Sequence, residues 1–306
     1  MNKILQGDAL TVLKTLPDES INCVMTSPPY WGLRDYNVEL QLGLESTFQE
    51  YIMNLCNIFD EVKRVLRKDG TCWINLGDTY ISKGEKRHIG YGDPKNMKVG
   101  IKTYIEPNGL PQSCTQKCLA QIPSRFAIEM CNRGWILRNE IIWHKPNAMP
   151  SSVKDRFTVD FEKLFFFVKS KKYWFQTQYE VATSTDNYIR DHTNTKLNNT
   201  PGRSRMGGLK TNHYIKRNMR SVWKIPTHPF AEAHFATYPE KLCEIPIKSG
   251  CPPQGIVLDP FFGAGTTGVV AKRQGKQFIG IELNPTYMSI AKRRLEKVDI
   301  PLELMG

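Results

Sequence analysis

"GIVLDPFFGAGTTGVVA", Gly255 to Ala271, reads as a buried strand, a glycine-rich turn and the opening of a helix. Gly255–Leu258 is the strand, Asp259-Pro260 ends it, and Thr266–Gln274 is the helix. Glycines at a strand-to-helix turn let a ligand approach the backbone closely. In open α/β sheets ligands bind outside the carboxyl ends of the strands. A second strand, Gln277–Ile281, follows and runs into Glu282. A carboxylate at the tip of the next strand, about twenty residues on, is placed to accept both hydroxyls of a ribose. This stretch sets the expectation of an α/β fold that binds a nucleoside at the carboxyl edge of its sheet.

Outward from it the same alternation continues. Pro239–Lys248 and Pro285–Lys297 read as helices, the latter opened by proline at its first position. At the other end, Lys3–Leu5 is a strand, Ala9–Leu16 a helix stopping at Pro17, and Ile21–Met25 a second strand. Thr47 caps a helix to about Arg67, with Tyr51, Leu55, Ile58, Val62 and Val65 at helical spacing. Asp69-Gly70 is a turn and Thr71–Leu76 a strand; Pro123–Asn132 is a helix; Asn139–Trp143 and Lys163–Lys169 are strands. Strands alternating with helices predict a mostly parallel sheet covered on both faces. Two stretches break the pattern. Residues 81–117 are rich in Gly, Lys and Asn without a period, a long loop of the functional or mobile kind. Residues from about 180 to 220 form a second irregular block, polar and basic.

The 306 residues allow one large α/β domain or two smaller ones. Eight scattered cysteines without paired CxxC knuckles, and no HExxH, predict reduced thiols and no metal. No apolar run approaches the ~20 residues of a membrane span, and "MNKILQGDAL" lacks a secretory signal. A soluble, cytoplasmic protein with no membrane contact is expected. The net charge of +12 points to a polyanion. From Arg190 to Lys224 lie nine basic residues, Arg203, Arg205, Lys210, Lys216, Arg217 and Arg220 among them, against the single acid Asp191. Such clustering favours phosphate contact, because released counterions drive that binding.

"VMTSPPYWGLRDY", Val24 to Tyr36, places two prolines at a strand end. Together with the glycine turn it carries a resemblance. Asp259–Thr267, DPFFGAGTT, is similar to the D-P-F-x-G-x-G-T-[ST] motif of the DNA amino-methyltransferases, and Ser27–Tyr30, SPPY, to their [DNS]-P-P-[YFW] motif. With the catalytic motif first and the cofactor motif last, the chain resembles the beta group of that family, including phage and prophage members. The resemblance covers nearly the whole chain. It implies a Rossmann-like S-adenosylmethionine-dependent methyltransferase sheet with circularly permuted motif order and an inserted target-recognition region. The catalytic part would span 1–179, target recognition 180–225 and the cofactor part 226–306. It implies catalysis by Ser27, Pro28, Pro29 and Tyr30. It implies cofactor contact by Asp8 at the adenine, by Asp259, Pro260, Phe261, Gly263, Gly265, Thr266, Glu282 and Asn284, and by His234 within "HFATYPEKL". "IIWHKPNAMPSSVKDRF", Ile141 to Phe157, is similar to a strand and loop seen in many such enzymes. The partner implied is double-stranded DNA in a bacterial or phage setting, with a cognate restriction endonuclease and a homodimer as further expectations.

The chemistry explains the proline pair. An exocyclic amine on cytosine or adenine is a poor nucleophile, because its lone pair is delocalised into the ring. Two acceptors aimed at its hydrogens, the Pro28 carbonyl and the Ser27 hydroxyl oxygen, draw the nitrogen toward tetrahedral geometry, and the prolines hold both in place. Tyr30 supplies a face for a base that has left the duplex. Methylation at cytosine C5 needs a nucleophilic cysteine, usually after proline, and the chain has no Pro-Cys pair. In the family a serine in the first motif position usually accompanies cytosine, so Ser27 favours N4-cytosine, with N6-adenine as the alternative. An NAD-dependent oxidoreductase would explain the glycine turn and Glu282 but not SPPY. An RNA or protein methyltransferase usually has the opposite motif order. A non-catalytic DNA-binding module would not need the ribose carboxylate. Trp73 and Trp135 read as core, Asp78 as structural, and Lys145 as either a DNA-backbone contact or a solvated strand end.

Overall fold

The computed structural model describes residues 2–33, 38, 41–81, 87–88, 100–101, 115–182, 215–227 and 237–299. The chain runs β1 (Lys3–Gln6), α1 (Ala9–Leu13), β2 (Ile21–Thr26), α2 (Phe48–Val65), β3 (Leu66–Leu76), β4 (Arg87–His88), β5 (Gly100–Ile101), α3 (Ile122–Asn132) and β6 (Ile136–His144). It continues β7 (Phe161–Val168), β8 (Tyr179–Val181), β9 (Lys216–Asn218), β10 (Val222–Lys224), α4 (Glu240–Gly250), β11 (Ile256–Asp259), α5 (Thr266–Arg273), β12 (Gln277–Glu282) and α6 (Pro285–Glu296).

The described residues fall into two compact units, one within 1–176 and 221–306, the other within 177–220. The larger unit is built on one eight-stranded sheet in the order β1-β12-β11-β2-β3-β7-β6-β10. Every neighbouring pair is parallel except those made by β7, which is antiparallel to both β3 and β6. Val257 and Leu258 of β11 lie opposite Cys23 and Val24 of β2. The strand that leads into the glycine turn and the strand that leads into Ser27 are therefore neighbours, although Thr26 and Asp259 are 233 residues apart in sequence. Because the two run parallel, their carboxyl ends open on one sheet edge.

The helical spacing read from 47 onward buries Tyr51, Leu55, Ile58, Val62 and Val65 as expected, with the Thr47 hydroxyl accepting from the Glu50 N–H at 3.1 Å. Each such large apolar side chain contributes roughly 1.5–3 kcal/mol when withdrawn from water. The "LFFFV" run is continuous because both faces of β7 are covered. Phe165 and Phe167 pack with Phe126, while Phe166 stacks on Trp73 with centroids 4.0 Å apart.

Several element boundaries differ from expectation, and two of them have a local cause. Helix α1 stops at Leu13, its exit tightened by i→i+3 bonds from Thr15 to Val12 and Leu16 to Leu13. Asp69-Gly70 is not a reversal between α2 and β3: the chain enters β3 directly at Leu66, and the pair sits inside the strand where the register with β2 shifts. A Cβ at residue 70 would lie 2.6 Å from Leu66 Cδ1 and 3.0 Å from the Asn22 carbonyl oxygen, so any other residue there forces Leu66 to repack. Residues 221–225, the end of the stretch read as the target-recognition region, form β10 and its exit on the main sheet. There Trp223 is buried and the Trp143 indole donates to the Ile225 carbonyl at 2.8 Å. The irregular stretch 81–117 lies mostly outside the described residues; within it β4 and β5 pair antiparallel.

In the smaller unit β8 and β9 form an antiparallel ribbon with Glu180 opposite Arg217. The Glu180 carboxylate accepts from Arg217 at 2.7 Å and Arg220 at 3.0 Å. Lys216 is exposed. Arg203, Arg205 and Lys210 lie outside the described residues.

Candidate active site

A cavity of about 1340 Å³ opens at the carboxyl edge of the sheet and is lined from both motifs. Ser27, Pro28, Pro29 and Tyr30 come from the exit of β2; Pro260, Phe261, Gly263 and Thr266 from the β11–α5 turn; Glu282 and Asn284 from the exit of β12; and Asp8 from the exit of β1.

On one side of the cavity the carboxylate and the turn brace each other. Glu282 accepts from the Gly263 N–H at 2.7 Å and from the Asn284 N–H at 2.8 Å, one bond on each oxygen. Burial pushes its carboxyl above the ordinary glutamate range, and these two bonds work against the shift. A carboxylate has about four lone-pair sites, so acceptor capacity remains for a ligand hydroxyl. The Asn284 side chain caps α6 by accepting from the Thr286 N–H at 2.9 Å. Asp8 caps α1 through Oδ1, which accepts from the Thr11 N–H and hydroxyl, both at 2.9 Å; Oδ2 makes neither of these bonds. Gly263 has φ +52°, and a Cβ there would meet only the Phe261 carbonyl at 4.0 Å, so the glycine serves the backbone angle and leaves room above it.

Two of the residues expected at the cofactor, Asp259 and Gly265, are not among those that line this cavity. Asp259 is fully buried and accepts four bonds from protein: from the Thr26 hydroxyl at 2.6 Å, Thr267 at 2.7 Å, Tyr238 at 3.0 Å and the Phe261 N–H at 3.0 Å. Burial raises its carboxyl above the ordinary aspartate value while those donors pull it down. It ties β2, the glycine turn and α5 together. Gly265 has φ +80° and packs on α6, where a Cβ would lie 2.9 Å from Ala291 Cβ. His234 lies outside the described residues.

On the other side, the Tyr51 hydroxyl donates to the Pro29 carbonyl at 2.7 Å and holds the proline pair. The Tyr30 ring rests on Gly77, where a Cβ would come 2.5 Å from Tyr30 Cε2. The Tyr30 hydroxyl donates to Glu162 Oε2 at 2.6 Å and lies 3.1 Å from Asn75 Oδ1. Lys145 pairs with Glu162 Oε1, and its Nζ sits 4.5 Å above the Trp143 ring. Asn75, Glu162 and Lys145 line the cavity and were missed as a group. The available signal was a polar residue inside an apolar strand run: Asn75 in "WINL", Glu162 before "KLFFFV". Tyr238 was also missed by number, though it falls in the quoted "HFATYPEKL". Asp78 is structural as read: its carboxylate accepts from the Thr79 and Ile122 N–H groups at 2.9 and 3.0 Å, at the start of α3.

These residues fit the cofactor implied by the motifs. Glu282 would accept from the hydroxyls of a ribose, Asp8 would accept from an adenine amine, and Gly263 leaves the turn uncrowded. In S-adenosylmethionine such a ligand carries its reactive methyl group on a sulfonium.

A DNA methylase family model matches residues 21–293. The type II methyltransferase M.Cfr9I of Citrobacter freundii is 42% identical over 97% of this chain and 88% of its own length. M.SmaI of Serratia marcescens is 40% identical over 96% of this chain and 90% of its own. Among solved structures, the PvuII DNA methyltransferase, named as cytosine-N4-specific, superposes with a TM-score of 0.64 at 22% identity, covering 99% of this chain and 89% of that one. An M1.HpyAVI–SAM complex superposes at 0.53 with 20% identity, covering 96% and 100%. Both share the mixed α/β fold around a central sheet. With the two motifs of the amino-methyltransferases on one cavity and a family model over most of its length, the chain belongs to the DNA methylase family of amino-methyltransferases.

Proposed function

We propose that this DNA amino-methyltransferase, with S-adenosylmethionine as cofactor, methylates the N4 amine of cytosine on a base turned out of the duplex. The observation that carries the proposal is Ser27 beside Pro28 on the wall of the cavity that Glu282 and Gly263 also line. When bound, the cofactor supplies an electrophilic methyl group. The Pro28 carbonyl and the Ser27 hydroxyl oxygen each accept one hydrogen of the amine and hold its lone pair in a tetrahedral direction. The Tyr30 ring, backed by Gly77, carries the extruded base. Stacking of about 1–3 kcal/mol per base offsets part of the few kcal/mol that extrusion costs. Glu282 and Asp8 hold the nucleoside half of the cofactor, with Pro260, Phe261, Thr266 and Asn284 around it.

Target recognition belongs to the basic stretch 180–225, where Arg203, Arg205, Lys210, Lys216, Arg217 and Arg220 contact phosphate. A restriction endonuclease reading the same sequence is part of the proposal, supported by the type II names of the relatives. Action in the cytoplasm rests on the resemblance; among the described residues no helix is long and apolar enough to cross a membrane. A homodimer rests on the resemblance alone.

The test is nucleoside mass spectrometry. Purified protein is incubated with unmethylated genomic DNA and deuterated-methyl S-adenosylmethionine, and the DNA is digested. Labelled N4-methylcytosine is the expected product. Labelled N6-methyladenine would overturn the choice of base and leave the rest of the mechanism. Label on RNA or protein, with none on any DNA, would overturn the proposed substrate.

A further inference from the structure

The hydroxyl of Ser27 is useful to an amine only as an acceptor, so its own proton has to point elsewhere. The structure shows where. Asn75 is fully buried, and its Nδ2 donates to the Lys163 carbonyl at 3.3 Å. A carbonyl can only accept, so the amide orientation is settled and Asn75 Oδ1 faces the hydroxyls. The Tyr30 hydroxyl has one proton and two acceptors in reach, Glu162 Oε2 at 2.6 Å and Asn75 Oδ1 at 3.1 Å. The carboxylate is nearer and stronger, so the tyrosine proton goes to Glu162. That leaves the Tyr30 oxygen and Asn75 Oδ1 as acceptors for Ser27, whose Oγ lies 3.4 and 3.3 Å from them. The serine proton is thereby directed into the protein and its lone pairs into the cavity.

We infer that Glu162, clamped by Lys145, is a positioning residue that fixes the Ser27 hydroxyl as an acceptor toward the target amine. It acts through the Tyr30 hydroxyl, not on the base. Lys145 pairs with the other carboxylate oxygen, Oε1, and so keeps Oε2 turned to Tyr30. Burial and the adjacent Glu162 charge raise the Tyr30 hydroxyl well above the ordinary tyrosine range, so it stays protonated and remains a donor to Glu162. The inference rests on the proposed role of Ser27 at an exocyclic amine.

Glu162→Gln separates this from simple packing, because it keeps the shape and reverses one contact. Lys145 takes the amide oxygen, and the NH₂ group then donates to the Tyr30 oxygen. The tyrosine proton turns to Asn75 Oδ1, so Ser27 loses the Tyr30 oxygen and has to share Asn75 Oδ1, and its proton is freed to turn into the cavity and oppose the amine. Single-turnover methylation at saturating DNA and cofactor should fall about 10²-fold, the size expected for one misdirected preorganised group. Affinities for cofactor and DNA should be unchanged. Tyr30→Phe keeps the ring and leaves Ser27 its Asn75 acceptor, so it should lose less than Glu162→Gln. In the Tyr30→Phe background, adding Glu162→Gln should change the rate by no more than about twofold, because the link is already cut.

The inference is overturned if Glu162→Gln methylates at close to the wild-type rate, or if its loss is equally large without the Tyr30 hydroxyl. It is also overturned if the variant's loss appears as weakened cofactor binding. Wild-type protein in the same assay tests the underlying reading: an unlabelled exocyclic amine there would sink the role of Ser27 itself.

Discussion

Asp259→Ala tests whether the aspartate of the glycine turn is a ligand contact or a structural knot. The side chain accepts from Thr26, Thr267, Tyr238 and the Phe261 N–H, and neither it nor the two threonines is exposed. Two of these donors have an alternative. The Thr267 hydroxyl lies 3.2 Å from the Met25 carbonyl, and the Tyr238 hydroxyl 2.5 Å from Thr267 Oγ1. The Thr26 hydroxyl and the Phe261 N–H are left unpaired at about 1–3 kcal/mol each, roughly 2–6 kcal/mol together. Burial makes the charged carboxylate itself unfavourable, as its raised pKa shows, so removing it offsets part of that loss. The net expectation is a destabilisation of about 2–4 kcal/mol, a large share of the 5–15 kcal/mol typical of a domain. Asp259→Asn should be milder, near 1 kcal/mol, because its oxygen stays on the rigid Phe261 N–H while its NH₂ meets hydroxyls that can turn and accept. Urea unfolding without cofactor, paired with calorimetric titration of the cofactor, reads both quantities. A variant as stable as wild type that no longer binds cofactor would refute the argument and return Asp259 to the ligand.

Gly265→Ala, at φ +80° with a Cβ 2.9 Å from Ala291, should destabilise by about 2–4 kcal/mol from strain and overpacking together. Gly263→Ala, at φ +52° in open space, should lose only the backbone part, about 1 kcal/mol; equal losses in urea melts would contradict the packing assigned to Gly265. Cofactor affinity should fall on acidification from a pH above the ordinary glutamate value of 4.5, because Glu282 takes up its proton early. Glu282→Gln should remove that dependence. The sign is opposite for stability without cofactor. A raised folded-state pKa means the protonated group favours the fold, so this contribution is full below about 4.5 and is lost as pH rises through the folded value. Acid titrations of affinity and of melting temperature check the two directions. Ser27→Ala should lower kcat by about 10²–10³-fold with the cofactor dissociation constant unchanged; an equal loss of affinity would place Ser27 with the cofactor instead.

The parts of the site that could be read in the sequence are those whose chemistry is local. A glycine at φ +52° followed by another at +80°, and an acid closing the next strand, are short-range demands of one turn. They leave their mark within the stretch 255–282. The SPPY loop is local for the same reason: two prolines fix it, and only its place beside the glycine turn depends on β2 pairing with β11. Asp259 shows where local reading stops. An acid at a strand end looks the same whether it faces a ligand or a neighbour, and its nearest donor, Thr26, belongs to a strand at the far end of the chain. Asn75, Glu162 and Lys145 stand on β3, β7 and the exit of β6, and the antiparallel placement of β7 between the other two brings them together. That placement leaves no period in the sequence, since strands covered on both faces read as uniform apolar runs. What such runs do show is the exception. Withdrawing an amide or a carboxylate from water costs several kcal/mol unless it is bonded, so a polar residue within or beside a buried strand has a partner, and here Asn75 and Glu162 both bond the loop that holds Ser27 while Lys145 bonds Glu162.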